Sequence, residues 1–74
     1  MKSKMIKINK IEDINAIVKQ AEQVKDGVYI HRGRFVVDAS SLMGIMSIDL
    51  TDPVKIEYPE LNTDFDTFIS QFEV

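Results

Sequence analysis

Val54, Ile56 and Tyr58 alternate with Lys55 and Glu57. A period of two puts the apolar side chains on one face of a strand and the charged ones on the other. The same one-sidedness recurs: Val28 and Ile30 alternate with Tyr29 and His31, and Phe35 and Val37 flank Val36. A β-branched run, Met5-Ile6-Lys7-Ile8, predicts a further strand near the start. Strands with one apolar face need cover on that face only. The expected sheet therefore carries helices on one side and meets solvent on the other.

The covering helices are also legible. Ile11, Ile14, Ile17, Val18, Ala21 and Val24 recur at steps of three and four, with Glu12, Asn15, Lys19, Glu22 and Lys25 on the opposite face. Gly27 in "KDG" is suited to the left-handed conformation that ends helices. Gly33, between the Val28 and Phe35 runs, supplies the positive φ of a hairpin turn. Near the end, Phe65, Phe68, Ile69 and Phe72 share one stripe behind a capping residue, Asn62 or Thr63, and Asp64 and Asp66 suit the positive end of that helix. The order is β-α-β-β-α-β-α, a two-layer α+β class in a single domain, 1–74.

With 74 residues the chain stands near the lower end of what a core holds together without staples, and with no cysteine it has no disulfides or thiolate metal sites. That cysteine usage suits a reducing cytoplasm, which is the expected location. The net charge of −3 disfavours nucleic acid and anionic membrane as partners, since both select a basic face. "MKSK" has no apolar run behind it, so no signal peptide is expected, and no segment approaches the ~20 apolar residues of a membrane span. No cofactor or metal is expected, because no metal-ligand spacing, glycine-rich phosphate loop or Ser/His/Asp nucleophile signature occurs.

The most unusual stretch is "SSLMGIMSIDL", Ser40 to Leu50. Ser40 or Ser41 is the expected N-cap, and Pro53 prevents continuation. Leu42, Met43, Ile45, Met46 and Ile48 are apolar around much of the girth, the mark of a buried helix. Gly44 weakens that helix by roughly 1 kcal/mol relative to alanine. Met43 and Met46 admit three readings: core, a docking surface, or the interface of a homodimer.

This element order, with Ser41-Leu42-Met43-Gly44-Ile45-Met46-Ser47-Ile48 opening the second helix, resembles the HPr-type phosphocarriers of the bacterial sugar phosphotransferase system. The resemblance implies a four-stranded antiparallel sheet with three helices on one face. It also implies that Ser41 is a regulatory phosphorylation site and that Leu42, Met43 and Met46 dock phosphotransferase components or a regulator. Methionine suits such a surface because its flexible thioether adapts to several partners.

The family's carrier motif, close to "GIHARPA", has no counterpart. Aligning the apolar stripe of the first helix puts Lys10 where the carrier histidine would fall, and Glu12 and Asp13 where its arginine and proline would follow. Two carboxylates there have the wrong sign for holding a phosphoryl group at a helix N-terminus. The expected role is accordingly a non-catalytic regulatory or protein-binding module. One alternative is an active carrier that uses His31, the only histidine; another is a structural homodimer. His31 also reads as a solvent-facing residue at a hairpin tip, and Arg32 and Arg34 beside it as a solvated edge or an anion site.

Overall fold

A computed structural model describes residues 1–74. The strands are β1 (Lys2–Ile6), β2 (Tyr29–Arg32), β3 (Phe35–Asp38) and β4 (Val54–Tyr58). The helices are α1 (Ile11–Glu22), α2 (Leu42–Met46) and α3 (Thr63–Ile69), the last extended by a 3-10 turn over Ser70–Phe72. All strand pairs are antiparallel, in the spatial order β1-β4-β2-β3. Three helices cover one face, giving the HPr-like open-faced sandwich expected from the sequence.

The core is the inner face of the sheet against the helices. Ile6, Val28, Ile30, Val54, Ile56 and Tyr58 from the sheet side meet Ile14, Ile17 and Ala21 of α1, Ile45 of α2, and Phe65 and Ile69 of α3, all buried. Phe65 lies between Tyr58 and Phe68, with ring centroids 5.2 and 5.9 Å away. Asn62, the cap of α3, accepts the Phe65 amide at 2.9 Å and fixes where that ring enters the core.

The first strand lies earlier than the Met5–Ile8 run suggested. Its inner face is Lys2, Lys4 and Ile6, in register with Tyr58, Ile56 and Val54. The two lysines reach Asp66 of α3 at 3.1 and 3.9 Å, and Lys4 also reaches Glu73 at 3.3 Å. Lysine stems can cover apolar surface while their charged heads reach acids, which lets a "KSK" segment serve as an inward-facing edge. Ile8 leaves the sheet and is buried as an anchor for the connection to α1.

Three further expectations are corrected. Ile11 opens α1 but is 55% exposed, because it precedes the turn that first touches the sheet. Gly27 has the expected positive φ of 89° yet does not end α1; Gln23 does, in right-handed geometry. Gly27 instead belongs to the following turn, where a Cβ would sit 2.8 Å from the Tyr29 hydroxyl. On β3 the alternation buys little burial: Phe35 is 67% exposed, and only Val37 is packed against the core.

Tyr58 and Asp66 join β4 to α3. The Tyr58 hydroxyl donates to the Asp66 carboxylate, and Lys2 and Lys4 flank the same carboxylate. Burial, then the Asp66 hydrogen bond, raises the Tyr58 phenol above its ordinary range. The Tyr58 and Lys2 hydrogen bonds lower Asp66. A lowered carboxylate contributes stability above its unfolded value, lost as pH falls below about 4. A raised phenol contributes stability below its unfolded value, lost as pH climbs above about 10. Tyr58→Phe is therefore expected to cost about 1 kcal/mol near neutral pH, the net worth of one hydrogen bond from a buried hydroxyl to a partly exposed carboxylate. It should also flatten both limbs of the stability profile, as urea titrations across pH would show.

Candidate functional site

The segment from Asp38 to Ser47 is built by side chains that tie down the backbone. Asp38 closes the turn after β3: its Oδ1 accepts the Ser40 hydroxyl at 2.6 Å and the Ser40 amide at 2.8 Å. Those two bonds, the hydroxyl first, hold the Asp38 carboxyl below the usual range. Ser40 is thus committed to the turn, and Ser41 is the cap. Its Oγ accepts the Gly44 amide at 3.1 Å while its backbone is extended. The cap is exposed, with its hydroxyl at the rim of α2.

The helix is shorter than the Ser41–Ile48 match suggested and ends at Met46. The Ser47 hydroxyl donates to the Gly44 carbonyl at 2.6 Å, and the Ile48 amide reaches back only three residues, to Ile45. A side chain that bonds the preceding turn competes with helix propagation, and the short reach tightens the last turn. A second tight turn follows, in which Asp49 Oδ1 accepts the Thr51 hydroxyl and amide at 2.6 and 2.9 Å.

Five residues have too little length to sort faces by periodicity, and burial shows which way each points. Ile45 is fully buried and is the only buried residue of α2. Leu42 is 40% exposed, Met43 84% and Met46 55%. Leu42, Met43 and Met46 thus leave an apolar cluster exposed on one short helix, beside the buried Ile45. Gly44 also acquires a reason: a Cβ there would lie 3.2 Å from Ser41 Oγ and 3.4 Å from Val37 Cβ. The missing side chain lets α2 settle onto β3 while keeping its cap.

At the other candidate position, Lys10 is the N-cap residue of α1 but makes no side-chain cap bond. Asp13 reaches back instead and accepts the Asn9 amide at 3.3 Å. The connection from β1 is four residues long, Lys7 to Lys10, and borders a depression of about 300 Å³ that Leu50 and Thr51 also line. Lys7 Nζ is drawn away to the Leu50 and Ile8 carbonyls, at 3.2 and 3.3 Å. The Asp13 carboxylate is thus engaged by the amide that precedes the cap, and Lys7 is already occupied.

His31 lies on the open face of the sheet, opposite Lys55 and Val36, with Nε2 3.1 Å from Glu57 Oε1. It is half-buried, more enclosed than a hairpin tip would leave it, because the longer Glu57 side chain folds against it. Arg32 and Arg34 line one depression beside the β2–β3 turn, while His31 stands apart from it on Glu57. Arg32 turns to Asp52 and Asp49 at 3.0 and 3.6 Å, whereas Arg34 forms no ion pair. Sequence reasoning missed the Asp38–Ser40 lock and the Lys2/Lys4/Asp66 cluster; only the Asp-x-Ser spacing signals the first. No helix is long and apolar enough to cross a membrane. No family model, curated protein or solved structure matches this chain.

Proposed function

We propose that this chain is an HPr-like protein-binding module of the regulatory kind, which docks a protein partner through α2 and does not carry phosphoryl groups. The observation that supports it best is the exposure of Leu42, Met43 and Met46 on a helix whose sole buried anchor is Ile45. The partner is a phosphotransferase component or a regulator, met in the cytoplasm, as the resemblance implies. Ser41 serves as the switch. A phosphate there adds ~2 negative charges and strong acceptor oxygens beside an apolar patch. Docking then shifts toward a partner that offers arginine, because charge-assisted bidentate bonds replace part of the apolar contact.

Against carrier chemistry stand Lys10 in place of a histidine, the Asp13 carboxylate at the α1 terminus, and His31 held by Glu57 on the face away from the helices. The test is parallel incubation with enzyme I plus labelled phosphoenolpyruvate, and with an HPr-dependent kinase plus labelled ATP. The expected result is label from ATP alone, lost in Ser41→Ala. Label from phosphoenolpyruvate that disappears in His31→Ala would establish the carrier instead. No label from ATP would remove Ser41 as the switch.

A further inference from the structure

The two edges of the sheet are treated differently. At β1, the C-terminal residues pair with the strand: Lys7 N–H donates to the Phe72 carbonyl at 3.0 Å, Val74 N–H donates to the Met5 carbonyl at 3.1 Å, and Ile6 bridges Glu73. Its remaining length is guarded by Lys2 and Lys4, and charged edges resist pairing. At β3 nothing in the chain pairs with the outer side.

Which groups point outward follows from one bond. Ala39 N–H donates to the Val28 carbonyl at 2.8 Å, so odd-numbered residues of this strand face β2. Inward and outward groups alternate along an antiparallel strand. The N–H and C=O of Val36 and the N–H of Asp38 therefore point away from the sheet. Around them Arg34, Phe35, Val36 and Asp38 are all exposed. The residue order is Arg34-Phe35-Val36-Val37-Asp38. Laid antiparallel to itself about Val36, it sets Arg34 opposite Asp38, Phe35 opposite Val37, and Val36 opposite Val36. Opposite charges meet at both ends, aromatic meets β-branched residue between them, and every pair is compatible with cross-strand stabilisation.

We propose that β3 is a self-pairing edge, and that two copies of this chain join there, antiparallel about Val36, into one continuous eight-stranded sheet. The two Val36 residues exchange both of their backbone hydrogen bonds, and each Arg34 guanidinium meets Asp38 of the second copy. Arg34, which forms no ion pair within its own chain, finds one there, at the free oxygen of a carboxylate otherwise held by Ser40. The interface is isologous, so it closes as a dimer and leaves β1 as the outer edge on both sides. This surface is distinct from the exposed side chains of α2, and the proposal does not rest on their role. A five-residue ladder is small as interfaces go, and the dimer is expected to be weak, with a dissociation constant on the order of 100 µM.

Sedimentation equilibrium from about 10 µM to 1 mM tests it, at concentrations that bracket that constant. The mass average is expected to rise from one chain toward two. Arg34→Asp, which sets like charges opposite each other, and Val36→Pro, which removes only an outward N–H, should both hold it at one chain. Where Val36→Pro does not fold, Arg34→Asp decides alone. In a mixed-isotope sample of the dimer, a contact between the α-protons of Phe35 and Val37 on different copies is expected. A monomer across the whole range, or a dimer that persists in a folded variant of either kind, would overturn the proposal.

Discussion

Phe65→Ala is expected to remove most of the stability of this domain. The ring is 1% exposed, sits between Tyr58 and Phe68, and is the point where α3 enters the core under the Asn62 cap. Truncating a buried phenylalanine costs about 3–5 kcal/mol, from lost transfer energy plus the cavity left behind. At about 0.05–0.15 kcal/mol per residue, a chain of 74 residues holds roughly 4–11 kcal/mol in total. The loss is therefore comparable with the whole. Nor can the site close by local collapse, because Tyr58 is pinned by Asp66 and the backbone of β4 is bonded on both sides by β1 and β2. Urea denaturation followed by circular dichroism should show the midpoint falling by at least about a quarter, or no folded baseline at all. A midpoint within a tenth of the parent would mean that α3 is not a structural part of the core.

The same core explains what could be read in advance. Strand β4 was legible because it is central and covered on one face, so Val54, Ile56 and Tyr58 had to alternate. The stripes of α1 and α3 were legible for the same reason, apart from Ile11, whose place in the first turn leaves it in water. The edge strands were less so. An edge pairs on one side only, and its inner face is partly replaced by other devices: lysines reaching α3 on β1, and a short helix over β3. The acid that Lys2 meets is Asp66, at the far end of the chain, and no local pattern announces such a contact.

The candidate site was half legible. The cap at Ser41 follows from composition and position, and the helix after it from the apolar run. Which methionine faces water does not. Over five residues, periodicities near three and four define no unique stripe, and the direction of α2 is set by Ile45 and by the contact of Gly44 with Val37. Ser47 also ends the helix earlier than apolar content alone would suggest.

Ile45→Ala and Met43→Ser separate the two faces of α2. Ile45 is completely buried and is the only residue of the helix that is. Its truncation is expected to cost about 2–4 kcal/mol. A helix of one turn has no stability of its own, since nucleation consumes more order than so few hydrogen bonds return. The loss should therefore appear first as local opening, with the Gly44 amide, held by Ser41 Oγ, exchanging far faster with solvent than the amides of β4. Met43, at 84% exposure, has little native contact to lose, and Met43→Ser should shift global stability by no more than about 0.5 kcal/mol. If α2 is a docking surface, both variants weaken docking for different reasons: one removes a contact, the other unfolds the element that presents it. Hydrogen exchange at Gly44 distinguishes them, being unchanged in Met43→Ser and accelerated in Ile45→Ala. Loss of global stability in Met43→Ser as large as that in Ile45→Ala would show that Met43 is held in a packed environment in solution, and the exposed patch would then be part of a covered surface.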